Sequence, residues 1–127
     1  MKDLSTLEVK DSGKRDAFDS GAVRDVGENK GAYELISPLF IRRLALHLEK
    51  GAGKYEPRNW EKGMPMGRTM QSLMRHAYQY LEGDRSEDHL AGVACNIMFL
   101  IHYEDMINRG KLPAKLNDLP NYVTHGK

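Results

Sequence analysis

Five cations, two aromatics and an amide crowd into one glycine-marked stretch: Lys50, Lys54, Arg58, Lys62 and Arg68 interleave with Tyr55, Trp60 and Asn59. Phosphate is held by Lys and Arg donors, a base offers a π-face to an aromatic ring, and an amide reads a base edge. Gly51 and Gly53 allow close backbone approach to a phosphate, yet the G-x-x-x-x-G-K-[ST] pattern of a P-loop is absent. The same residues permit a plainer reading, in which Tyr55 and Trp60 anchor a long loop and its charges stay in water.

Other candidates lie around this loop. Arg75 and His76 are able to donate to phosphate from a partly dry site, or are a surface Arg beside a core-edge His. His89, Gly92, Asn96 and Tyr103 follow one another at spacings of three, four and seven within an apolar stretch. A buried Asn demands partners, either another helix or a ligand admitted past the side-chain-free Gly92. Arg24, among small residues near the N-terminus, is placed to fold over a ligand or to remain in a solvated tail. Hydrolysis of phosphate with Mg²⁺ on helices calls for carboxylates paired one turn apart. If such a metal were bound, Glu49, Glu82, Asp84 and Asp88 would have to hold it. Only Asp84 and Glu87 show the spacing, and Glu87 and Asp88 are adequately explained as first-turn acids of a helix. Cys95 sits in an apolar run that raises rather than lowers its pKa, and no nucleophile with a neighbouring base is visible.

These residues must be carried by helices. Ser37-Pro38 is a helix entry, and Ile41, Leu44, Ala45 and Leu48 follow at helical spacing, which predicts a helix over about 38–50. Residues 51–68 hold four Gly and two Pro and are expected to form a long loop. Thr69 or a neighbour opens a second helix with Met70, Leu73, Met74, Ala77 and Leu81 as its apolar stripe and Ser72, Arg75, Gln79 and Glu82 opposite. Ser86 is expected to cap a third helix reaching Asn108, central and buried because Leu90–Ile101 is apolar nearly all round. The domains expected are an extended or flexible arm over 1–30, a helical domain over 31–110 and an irregular tail over 111–127 that packs by its leucines. The fold class is all-α, a compact bundle of about three to four helices. One wholly apolar helix in so small a bundle needs more cover than its neighbours provide, so a homo-oligomer is expected.

The bulk numbers set the limits. A chain of 127 residues makes one domain with a real core. A formal net charge of +1 gives no field toward duplex nucleic acid or anionic membrane, so anion recognition must be local. A single cysteine excludes an internal disulfide, and the N-terminus lacks an apolar signal core, so a soluble, cytoplasmic protein is expected.

Several of these motifs together resemble a known family. Gly21-Ala22-Val23-Arg24-Asp25, Gly31-Ala32-Tyr33-Glu34-Leu35, Leu48-Glu49-Lys50-Gly51-Ala52-Gly53-Lys54-Tyr55, Arg58-Asn59-Trp60-Glu61-Lys62-Gly63, Arg75-His76 and His89-Leu90-Ala91…Asn96 are similar to the N-terminal domain of phage dATP/dGTP diphosphohydrolases. The resemblance implies a phage or prophage origin, a fold akin to the MazG-like pyrophosphohydrolases and a purine nucleotide as ligand. That broader superfamily holds its metal with E-x-x-E and E-x-x-D on successive helices. Neither motif lays onto the helices here, with Gly at 92 and Asn at 96 where carboxylates would serve. The leading expectation is therefore a binder that sequesters a phosphorylated purine nucleotide without a required cofactor, in a phage setting a sponge for a nucleotide immune signal. Its ligand residues would be Arg24, Lys54, Tyr55, Arg58, Asn59, Trp60, Arg75, His76, His89 and Asn96. The alternative is a Mg²⁺-dependent dATP/dGTP diphosphohydrolase, and a third reading is a structural helical interaction module.

Overall fold

Near the N-terminus, short polar stretches with glycine between them favour a tight reversal over a helix. The computed structural model describes Leu7 and residues 9–123; those parts of the expected arm and tail at residues 1–6, 8 and 124–127 lie outside it. The chain divides after Ile36 into two compact units. In the first, β1 (Arg15–Ala17) pairs antiparallel with β2 (Val23–Asp25), with Asp16 opposite Arg24. Gly21, at φ +91°, turns the chain between them, a conformation that glycine adopts without a Cβ clash. The Ser12 hydroxyl and then Lys30 hold the Asp25 carboxyl down at about 2. The described part of the arm is thus a small hairpin followed by a 3-10 turn at Tyr33–Leu35.

The second unit carries three helices. Ser37 accepts from the Phe40 amide and Pro38 occupies the first turn of α1 (Pro38–Ala52). The chain then takes a 3-10 turn at Asn59–Lys62 and enters α2 (Met66–Leu81). α2 starts at Met66 rather than near Thr69, because its cap comes from far along the chain. Asp118 Oδ1 accepts the Gly67 amide at 2.7 Å. Its carboxylate faces the positive end of the helix, and a Cβ on Gly67 would stand 3.0 Å from that oxygen. Leu112 and Leu116 of the tail cover Gly63, whose φ is +99°. Asp118→Ala should therefore lower stability by about 1 kcal/mol, read as a shift in the urea midpoint with an unchanged slope.

α3 (His89–Asn108) is capped by Asp88, which accepts the Ala91 amide at 3.1 Å. Ser86 is not the cap. It donates its amide to Asp84 Oδ1 at 2.8 Å in the turn before the helix, so Glu87 and Asp88 precede the first turn instead of lying within it. Asp88 also receives a bidentate pair from Arg43 of α1, at 2.9 and 2.6 Å, and this guanidinium is the main reason its carboxyl falls to about 2.

The helices meet through an unexpectedly polar seam. α3 packs against both α1 and α2. Among the described residues the buried ones are Met66, Ala91, Gly92, Cys95 and Tyr103, together with the polar Thr69, His76, His89 and Asn96. The apolar stripe expected for α2 is turned partly outward: Met74 is 49% and Leu81 77% exposed, and Ala77 is exposed too. Thr69 and His76 are buried instead, His76 against His89 of α3, while Leu73 of the expected stripe stays half-buried. α3 is likewise not fully enclosed, since Leu90, Ile97 and Ile101 stand open to solvent. The reason is geometric: each partner helix covers only one side of α3, and helices of 15 and 16 residues cannot surround one of 20.

Candidate functional site

Loop geometry between α1 and α2 is governed by Trp60. Its ring stacks on Phe99 of α3, with centroids 4.9 Å apart and planes at 24°, and meets His102 edge-on at 4.8 Å. The Tyr103 hydroxyl donates to the Trp60 carbonyl at 2.6 Å, and burial pushes that phenol up to about 12. Trp60 thereby pins the end of the loop to the middle of α3. Its ring is committed to Phe99, which leaves Tyr55, 62% exposed, as the aromatic with a free face.

The cations of the loop differ in their surroundings. Arg58 holds φ +64°, a left-handed conformation that costs a non-glycine residue about 1 kcal/mol. Its guanidinium pairs with Glu61, and Lys62 pairs with Glu56. Lys54 makes no ion pair among the described residues and lies exposed beside Tyr55. Asn59 is half-buried at the start of the 3-10 turn. Lys54, Tyr55, Arg58 and Asn59 thus fall on one short loop whose far end is fixed by Trp60.

The polar seam forms a second cluster. His76 of α2 and His89 at the start of α3 face each other with their Nδ1 atoms 2.9 Å apart. His89 is 1% exposed, and its Nε2 stands 3.1 Å from Asp84 Oδ2. Asp84 is held at about 2, chiefly by the Ser86 amide and hydroxyl and then by His89. Burial first, then the neighbouring Arg75, lowers the pKa of His76, which favours the neutral ring. Gly92 makes this packing possible, for a Cβ there would lie 2.9 to 3.0 Å from the His76 ring. Asn96 donates its side-chain amide to the Gly92 carbonyl at 2.8 Å. Cys95, beside it, is pushed up to about 11 by burial.

The expected ligand residues therefore separate into groups. Lys54, Tyr55, Arg58, Asn59 and Trp60 share the loop, while His76, His89 and Asn96 share the seam. Arg75 is exposed and reaches Ser72 at 3.3 Å. Arg24 belongs to the hairpin of the first unit. Of the four carboxylates considered for a metal, Glu49 and Glu82 are exposed, Asp84 is engaged with Ser86 and His89, and Asp88 caps α3. Sequence reasoning set Glu87 aside as a first-turn acid, although its Oε1 lies 3.8 Å from His76 Nδ1, and it missed the pairing of the two histidines. The nearest available signal was two histidines flanking a Gly-Asp turn, a pattern that leaves their register undetermined.

No curated protein and no solved structure matches the chain. A family model described as dATP/dGTP diphosphohydrolase, N-terminal, matches residues 20–111. That span takes in the loop with its Lys54-Tyr55 and Arg58-Asn59-Trp60, the histidine pair and Asn96, and it covers most of the 127 residues. The chain belongs to the dATP/dGTP diphosphohydrolase N-terminal domain family.

Proposed function

We propose that this domain binds a phosphorylated purine nucleotide on the loop between α1 and α2 and holds it without cleaving it. The observation that carries this reading is the pairing on one loop of Lys54, without an ion pair among the described residues, with an exposed Tyr55, beside an arginine kept in a strained backbone. An uncommitted cation suits a phosphate, and an open ring suits a base. Strain at Arg58 fits a residue retained for its side chain, since glycine would relieve it. The family's description supports a purine deoxynucleotide as the class of ligand. In a phage setting, a sequestered nucleotide immune signal is a further candidate. Exposed apolar residues on α1 and α3, with a groove between them lined by Phe40, Leu44, Leu90 and Ile97, suit self-association of the chain.

The family's description also favours a second reading, diphosphohydrolysis of dATP or dGTP, for which Mg²⁺ would be the metal. Against it stand the engagements of Asp84 and Asp88, each already tied to its own turn or cap. Incubation with dATP, dGTP and cyclic purine nucleotides in Mg²⁺, followed by denaturation and chromatography of the released material, separates the two. Intact nucleotide is expected, with affinity about tenfold lower for Lys54→Ala, the loss of one charge-assisted contact. Release of monophosphate and pyrophosphate would establish the hydrolase instead, and failure to bind any of the panel would end both readings.

A further inference from the structure

The seam between α2 and α3 contains a second arrangement, separate from the nucleotide loop. Among the described residues, one group of three His, Cys, Asp or Glu side chains converges: His76, Glu87 and His89, with ligand atoms all within 4.8 Å of one another. We propose that these three side chains form a binding site for a divalent transition cation of the zinc type, taken by both imidazole Nδ1 atoms and the Glu87 carboxylate.

The distances fit such an ion. Bonds of about 2.0–2.1 Å from a tetrahedral zinc to nitrogen and oxygen set ligand separations of roughly 3.3 Å. The Nδ1 atoms stand 2.9 Å apart and Glu87 Oε1 lies 3.8 Å from His76 Nδ1. Side-chain shifts of about half an ångström bring both to the required edge. Glu87 is more than half exposed and is free to swing, whereas the histidines are held by the helices.

The surroundings supply what a ligating histidine needs. A metal-bound imidazole directs its other ring N–H at a carboxylate, which fixes its tautomer. Asp84 stands in that position for His89, 3.1 Å from Nε2. This Nε2 is buried and makes no formed hydrogen bond, the carboxylate being in reach but out of line. An N–H on Nε2 leaves His89 Nδ1 bare and aimed at His76. Without an ion, His76 Nδ1–H donates across the 2.9 Å gap; when the ion binds, His76 gives up that proton and takes one from solvent on Nε2, so the ring stays neutral and both Nδ1 atoms become ligands. Two imidazoles with one carboxylate select zinc, cobalt or nickel over Mg²⁺, and three protein ligands leave a fourth position for water.

The test uses the full chain, stripped with a chelator and titrated with Co²⁺ by visible absorption, then with Zn²⁺ in competition. No nucleotide is present, so the outcome is independent of the loop's ligand. One equivalent is expected to bind, with the intense visible bands of tetrahedral cobalt and displacement by zinc. His76→Gln should weaken binding at least a hundredfold, and Asp84→Asn about ten- to a hundredfold. Glu87→Gln, at an exposed position that leaves the core intact, should weaken it about tenfold, and it decides the matter if the histidine variant does not fold. Absence of cobalt binding by the unaltered chain, or binding that is unchanged by Glu87→Gln and Asp84→Asn, would overturn the site.

Discussion

Gly92→Val is expected to destabilise the domain by about 2–3 kcal/mol, seen as a fall in Tm on the order of 10 °C. In an ordinary exposed helix, replacing glycine stabilises, because a residue with a Cβ loses less backbone freedom, a gain of roughly 0.5–1 kcal/mol for alanine. Here the sign reverses. A Cβ at 92 meets Cδ2 of His76 at 2.9 Å and Cγ and Nε2 at 3.0 Å, and the ring is boxed in by His89 on its other side. Either His76 leaves the seam and breaks the histidine pair, or α2 and α3 move apart and open contacts along the main interface of the fold. Circular dichroism melts of Gly92→Val and Gly92→Ala give the comparison. A variant as stable as the unaltered chain would show that the ring has room to move and that the seam is looser than its distances imply.

The second large effect separates anchoring from recognition in the loop. Trp60→Ala should cost about 2–4 kcal/mol, since it removes an aromatic stacked on Phe99 and in edge contact with His102. Tyr55→Ala should change stability by no more than about 0.5 kcal/mol while reducing nucleotide affinity roughly tenfold, the loss of one stacked base. Urea denaturation and equilibrium dialysis of both variants measure the two quantities side by side. If Tyr55→Ala binds like the unaltered chain, the stacking partner is not Tyr55, and the Lys54-Tyr55 pairing no longer supports the nucleotide reading.

Local signals were sufficient where the determinant lies nearby. Ser37 and Pro38 set the start of α1, and the stripe of His89, Gly92, Asn96 and Tyr103 is indeed the buried side of α3. They failed where it is remote. The start of α2 depends on a carboxylate 51 residues away, which no window around Met66 contains. The orientation of α2 was misjudged for a different reason. Apolar spacing indicated Met74, Ala77 and Leu81 as part of the inner face, yet buried Thr69 and His76 take that side of the helix, Thr69 bonded to the Pro65 carbonyl and His76 paired with His89. The candidate site divides in the same way. Cations and aromatics that are neighbours in sequence marked the loop, including both of its possible roles for Trp60. The cluster of His76, Glu87 and His89 was illegible as a unit, because it exists only once the turn at Gly83–Asp88 has set two helices in register.

Cys95 has a practical consequence. It is 4% exposed on α3, its thiol is raised to about 11, and it is the single sulfhydryl of the chain. An alkylating reagent reaches it only during moments when the helix lifts from its neighbours, so the rate of modification is a clock for that opening. Anything that binds the closed form slows the clock in proportion to its occupancy, whether it settles on the loop or in the seam. The molecule carries its own reporter of local breathing, with no label to be introduced.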